Sequence, residues 1–136
     1  LEFRRVLFRS MAIRSALESL YAELGSEQRL FDLILGFYEA MARDLMIGFF
    51  FEGRDLREIS RKQAEFLLRA MGVRTSYSGR PPSQAHGALP PILPGFFDRR
   101  TRILEDFLRS QNVSEEGIQA WVSFEAAFRD AIVTRS

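Results

Sequence analysis

Apolar residues recur at steps of three and four along most of the chain, the signature of one helix face and not of an alternating strand. The clearest stripe is Leu30, Phe31, Ile34, Phe37, Tyr38, Met41 and Leu45, preceded by Ser26 as an N-cap and Glu27 in the first turn. Ahead of it the pattern predicts a short helix over about Ser15–Leu24, stopped by Gly25. The run Ile47-Gly-Phe-Phe-Phe-Glu-Gly53 is too short for a helix and predicts a buried aromatic corner. Asp55 with Glu58 three residues on has capping-box spacing in acidic form. The helix it opens carries Ile59, Gln63, Phe66, Leu67 and Ala70 and ends at Gly72. Between Val73 and Gly95 lie Pro81, Pro82, Pro90, Pro91 and Pro94, which exclude long regular structure, although Ser83–Leu89 could form one or two turns. So long a proline-rich connection in a compact domain is functional or disordered. Two more helices follow. Phe96–Gln111 presents Phe96, Phe97, Ile103, Leu104, Phe107 and Leu108. Ser114 then caps a last helix, with Glu115 and Glu116 near its positive end and Ile118, Trp121, Val122, Phe124, Phe128 and Ile132 expected inside. No repeat, sustained heptad or strand pattern is found. The pattern predicts one all-α domain.

Composition narrows the chemistry. A hydrophobic content of 46% supports a packed core, and no apolar run approaches the roughly 18 residues of a membrane span. Cysteine is absent, which excludes disulfides, thiolate catalysis and Cys-ligated metals. A single histidine excludes two-His zinc motifs. The opening residues Leu1–Ser10, LEFRRVLFRS, read back codon by codon as CTG GAG TTC AGA CGT GTG CTC TTC CGA TCT, the end of a common sequencing-library adapter. Residues 1–10 are therefore expected to be a non-native appended segment, disordered or adventitious, with Met11 as the natural start and 11–136 as the domain. Without Arg4, Arg5, Arg9 and Glu2, basic residues drop from 19 to 16, acidic from 18 to 17, and the formal net charge from +1 to −1. No electrostatic case for nucleic acid or membrane binding then survives. Met11-Ala-Ile-Arg leads into an amphipathic helix and not into a signal peptide, so a cytoplasmic location is expected.

Three residues do not fit a plain helical core. Tyr38 stands in the apolar stripe, where a buried hydroxyl needs a partner. Gln63 stands at the centre of Ile59–Gln63–Phe66–Leu67, where an unpaired buried amide costs about 1–3 kcal/mol. His86, the only imidazole, lies in the proline-rich connection. Each has an ordinary explanation taken singly: a hydroxyl on a backbone carbonyl, an amide snorkelling outward, a solvated loop histidine.

Their order is more specific. Phe37-Tyr38 is followed by Phe50-Phe51 before Glu52-Gly53, then Lys62-Gln63-Ala64-Glu65-Phe66, Tyr77-Ser78-Gly79-Arg80 and Ala85-His86. In this order and spacing the chain resembles the truncated haemoglobins from roughly Leu20 to Val133, and is most similar to the group I, or N-type, branch. That resemblance implies a 2-over-2 helical sandwich, with B/E and G/H helix pairs around haem b. It implies His86 as the iron ligand, and Tyr38 and Gln63 as donors that stabilise a diatomic ligand on the opposite side. Phe51, Leu56, Ile59, Lys62, Phe66, Tyr77, His86 and Phe97 would contact the haem, Lys62 and Arg57 through its propionates. The implied function is reversible binding of O2, and of NO or CO, at a pentacoordinate iron. NO dioxygenation or redox chemistry served by a reductase is a candidate activity, and the protein is expected to be a monomer or weak homodimer.

The chain also departs from the family. Its Gly-Gly pairs read Gly25-Ser26 and Gly72-Val73, the loop after His86 is longer, and Leu67 replaces a phenylalanine that gates a tunnel in some N-type members. Arg100 falls on the inward face of the G helix, where an apolar residue is usual. Tilting outward, pairing with a propionate, or a one-residue shift of the alignment would each accommodate it. The alternative is a globin-fold interaction module without haem. A non-haem metal or hydrolytic enzyme lacks ligands, having no second His, no Cys and no carboxylate cluster on an apolar face.

Overall fold

A computed structural model describes the backbone of residues 2–73 and 94–127, with side chains from 11 and 95 onward in the two stretches. Tyr77, His86, Phe128 and Ile132 lie outside the described residues. Five α-helices are present among them: α1 (Glu2–Leu24), α2 (Glu27–Ala42), α3 (Leu56–Ala70), α4 (Pro94–Ser110) and α5 (Glu115–Ala126). A 3-10 turn, Gly48–Phe51, makes the aromatic corner between α2 and α3. No strand occurs among the described residues.

The helix boundaries follow from local chemistry. Ser26 Oγ accepts from Arg29 N at 3.1 Å, and Ser114 Oγ from Gly117 N at 3.0 Å. One carboxylate oxygen of Asp55 accepts from both Arg57 N and Glu58 N. Each satisfies amide donors that the first turn of a helix cannot pair internally. Gly25 (φ +89°) and Gly72 (φ +81°) end α1 and α3 in the left-handed conformation that glycine adopts without strain. The first helix begins at Glu2, not near Ser15 as the pattern suggested. Residues 2–10, expected to be disordered, are helical. No Gly or Pro interrupts Glu2–Leu24, and extending a formed helix is far easier than nucleating one.

Packing pairs α2 with α3 and α4 with α5, while α2 also crosses α4 and α1 lies along α5. The core between them contains Leu30, Ile34, Phe37, Met41, Leu67, Leu104, Leu108, Ile118 and Trp121. Two expectations about faces need correction. Leu45, assigned to the α2 stripe, is fully exposed at 104%, because the helix ends at Ala42. On α3 the buried face is Ser60, Ala64, Leu67 and Leu68, whereas Ile59, Gln63, Phe66 and Ala70 are half-buried. Small residues such as Ser60 and Ala64 on a buried helix face allow a neighbouring helix to pack close.

Asp44 shapes the corner. Its Oδ2 accepts from Met46 N (3.0 Å) and Ile47 N (3.2 Å), and its Oδ1 from Arg99 Nη2 on α4 (2.6 Å). Directly after it, a Cβ on Gly48 would lie 2.6 Å from the Ala42 carbonyl oxygen, so the turn requires glycine. Hydrogen bonding from Arg99, and secondarily from the two amides, holds the Asp44 carboxyl below its ordinary 3.8 despite some desolvation. Because folding lowers this pKa, the contact adds stability that is complete above 3.8 and is lost as pH falls through the folded value. The stability advantage of the native protein over Asp44→Asn should therefore shrink as pH falls below about 3.8, as read from urea midpoints. A pH-independent difference would mean that Asp44 acts here without its charge.

Candidate functional site

Phe37 and Tyr38 are adjacent on α2, yet both are buried, because they flank the line where α2 passes between α3 and α4. The Tyr38 ring, 6% exposed, meets Phe51 edge-on at 5.6 Å and Phe37 at the same centroid distance. Phe51 is presented by the corner, whose Phe49 and Phe50 stack on each other at 4.2 Å and meet Phe96 of α4 at 5.9 and 5.6 Å. These contacts join α2, the corner and the start of α4 around one phenol.

The Tyr38 hydroxyl is not alone. The Arg100 guanidinium, from α4, acts on it electrostatically. Arg100 in turn forms an ion pair with Glu125 of α5 through Nη1 and Oε1, and its Cζ lies 5.0 Å above the Phe37 ring. Both side chains are inside the protein, 13% and 7% exposed. Burial pushes the Tyr38 pKa up; Arg100 opposes that shift and Glu125 adds to it. Burial disfavours the charge on Arg100, but Glu125 and then Tyr38 outweigh it and hold the guanidinium firmly protonated. Arg100 does not tilt outward: it turns inward to an acid on the neighbouring helix. Glu125 was missed in the sequence, although it lies four residues after Trp121 on the apolar side of α5.

The other expected site residues divide into two groups. Leu56, Ile59, Gln63 and Phe66 are half-buried at spacings of three and four, hence on one flank of α3. Phe66 reaches Phe124 at 5.8 Å, and Phe97 is buried on α4. By contrast, Lys62 is exposed and 3.8 Å from Glu58, and Arg57 lies over the Phe31 ring at 5.4 Å. Neither is in contact with Tyr38. Tyr77 and His86 lie outside the described residues.

The arrangement thus holds a phenol in an apolar, aromatic setting, backed by a fixed cation. On α3, which packs against α2, the half-buried flank offers one amide and three large apolar side chains. No cluster of three metal-ligating side chains occurs among the described residues. Within them, no helix is long and apolar enough to cross a membrane.

Comparison with solved structures finds the same architecture. Truncated haemoglobin from Tetrahymena pyriformis in the Fe(III) form superposes with a TM-score of 0.74 at 23% identity, covering 85% of this chain and 98% of that one. A tyrosine-to-phenylalanine variant of that protein gives 0.76 at 21%, with the same coverage. The 2/2 haemoglobin of Synechococcus sp. PCC 7002, in the cyanomet state with covalently attached haem, gives 0.72 at 23%, again over 85% and 98%. These likenesses show the fold: α2/α3 and α4/α5 are the two helix pairs of a 2-over-2 sandwich. A comparison with curated proteins returns no match. The model of the bacterial-like globin family matches residues 19–134, almost the whole chain, and the chain therefore belongs to the bacterial-like globin family.

Proposed function

We propose that the protein is a haem-binding globin, most similar to the N-type branch, which reversibly takes O2 and other diatomics such as NO and CO. The observation that supports this best is Tyr38: a hydroxyl buried among Phe37 and Phe51, beside an α3 flank that carries Gln63 among apolar side chains. That flank fits a flat apolar cofactor, because Leu56, Ile59 and Phe66 are each only half covered by the described helices. Haem b would be held through its iron by His86 and would supply the metal that takes a diatomic ligand.

The chain's own residues do the rest. Leu56, Ile59, Phe66, Phe51 and Phe97 provide apolar contact and exclude water, with Tyr77 as a further cofactor contact. Tyr38 Oη and the Gln63 amide donate hydrogen bonds to a ligand that draws negative charge, and such donors act strongly in a low-dielectric pocket. Ile59 has no polar atom, so this role falls to the pair. Lys62 sits on the outer side of α3, from where its long side chain can reach a propionate. NO dioxygenation is a candidate activity and would need a reductase as partner. Residues 11–136 form the globin unit, expected in the cytoplasm as a monomer or weak homodimer.

A haem-free interaction module is the second reading, favoured by the Arg100–Glu125 pair, which satisfies a buried charge without a cofactor. Reconstitution with haemin and a spectrum of the ferrous protein before and after O2 separates the two. A Soret band that shifts with O2 is expected; its absence selects the module.

Tyr38→Phe and Gln63→Leu should each speed O2 dissociation by about 10- to 150-fold, since a hydrogen bond to a charged acceptor contributes about 1.5–3 kcal/mol. Two donors that share one ligand should give non-additive effects. CO draws less charge, so its dissociation should change far less. Equal acceleration for both ligands would indicate a loosened pocket instead.

A further inference from the structure

Four large apolar side chains are exposed among the described residues, and three of them, Leu45, Met46 and Phe49, belong to the corner between α2 and α3. Leu45 lies wholly in water, and Phe49 stays 47% exposed although it stacks on Phe50 and meets Phe96 edge-on. Exposed apolar side chains scattered singly need no explanation, whereas a group of them on one support marks an interaction site. The support is firmly held. Asp44 accepts from the Met46 and Ile47 amides and from Arg99, and Gly48 N donates to the Asp44 carbonyl at 2.9 Å. Charged groups of both signs flank the three side chains in the chain: Arg43 before them, Glu52 and Arg54 after. All three are exposed, and among the described residues none forms an ion pair or a side-chain hydrogen bond.

We propose that this corner is a self-association surface, on which a second copy of the chain covers Leu45, Met46 and Phe49 about a two-fold axis. Glu52 of each copy then faces a rim arginine, Arg43 or Arg54, of the other. In a two-fold contact one patch meets itself, so its rim must carry both signs if it is not to repel itself. Unpaired Arg43, Glu52 and Arg54 meet that condition, and an apolar centre inside a polar rim is the usual anatomy of an interface. An anionic bilayer would attract the two arginines but repel Glu52, which favours the second copy. Three apolar side chains are few beside the roughly 20–30 residues a side of a stable complex, so the dimer is a transient one that forms at high protein concentration. The inference gives a face to the weak homodimer of the functional reading and does not depend on haem. The same corner presents Phe51 to Tyr38 at 5.6 Å, so the second copy sits on the element that also shapes the site.

Sedimentation velocity of the full chain at rising concentration and low salt provides the test. The sedimentation coefficient of the native protein should climb towards that of a dimer. Leu45→Asp should stay monomeric with an unchanged melting temperature, because the native side chain is fully exposed. Two further variants examine the rim. Glu52→Arg makes it wholly basic, and Arg43→Glu with Arg54→Glu makes it wholly acidic. Each alone should self-associate at least about 10-fold more weakly, since like charges brought together cost well over 1.4 kcal/mol. An equimolar mixture of the two should associate at least as well as the native protein, and added salt should erase that gain. A native chain that stays monomeric at every concentration overturns the proposal. So does dimerisation of Leu45→Asp equal to the native, which would place the contact on another face, or a mixture that stays apart. Flotation with phosphatidylserine vesicles tests the bilayer: binding by the native chain and by Glu52→Arg, lost in Leu45→Asp and without self-association, would reassign the patch to lipid. The ferrous spectrum of Leu45→Asp keeps the two readings separate. A Soret band that shifts with O2 in this variant leaves the haem reading standing whether or not the native chain dimerises.

Discussion

Replacement of His86 by alanine is expected to abolish five-coordinate ferrous haem altogether. The chain has no cysteine and no second histidine, so no other imidazole or thiolate can take the position. Iron held by water or a carboxylate would give a visibly different spectrum and a cofactor easily lost to competing apoproteins. In the His86→Ala protein the ferrous Soret maximum should shift or vanish, and O2 binding should go with it. Added imidazole should restore much of the native spectrum, because it replaces the missing ligand without repairing anything else. An unchanged spectrum would identify another ligand, and the alignment of Ala85-His86 with the proximal position would then be wrong.

Much of this architecture is legible in the sequence because helices announce themselves locally. Ser26, Asp55 and Ser114 accept from first-turn amides as their types and positions suggest, and Gly25 and Gly72 take the left-handed conformation. The aromatic corner and the burial of Phe37 and Tyr38 follow from the apolar stripe. Periodicity was less informative where packing between helices decides the outcome. On α3 the hydrophobic pattern favoured Ile59, Gln63 and Phe66, but Ser60 and Ala64, two small residues that the pattern passes over, are the ones buried beside Leu67 and Leu68. The start of α1 was misplaced because residues 2–10 contain no helix breaker and extend the helix that follows them.

The Arg100–Glu125 pair was hidden for a different reason. Each residue alone looks like an error in an apolar face, and only the packing of α4 on α5 shows that the two errors cancel. Opposite charges on the inward faces of two helices expected to pack together are a usable signal. In a 2-over-2 fold the G and H helices are such a pair. Arg100 and Glu125 could have been matched on that ground before any coordinates. Tyr38 on α2 feels both charges, so three helices meet at this point.

This arrangement makes the second large effect an asymmetric one. Arg100→Met alone should lower stability by about 3–5 kcal/mol, the usual consequence of stranding one buried charge. Methionine keeps most of the volume of the stem, so the loss reflects the carboxylate left without its partner and not a cavity. Glu125→Met alone should be milder. The guanidinium then still has the Phe37 face, and a cation over an aromatic ring contributes about 0.5–2 kcal/mol. Combining both substitutions should recover most of what Arg100→Met loses, because an apolar pair of similar volume is often as stable as the buried ions it replaces. Urea unfolding of the haem-free protein at neutral pH measures all three, since cofactor binding would otherwise add its own stabilisation to the folded state. If Arg100→Met and the double variant prove equally stable, the Glu125 carboxylate reaches water once its partner is gone. The pair would then be a surface bridge worth little. Recovery in the double variant, with Arg100→Met below Glu125→Met, is the order that a buried pair backed by Phe37 requires.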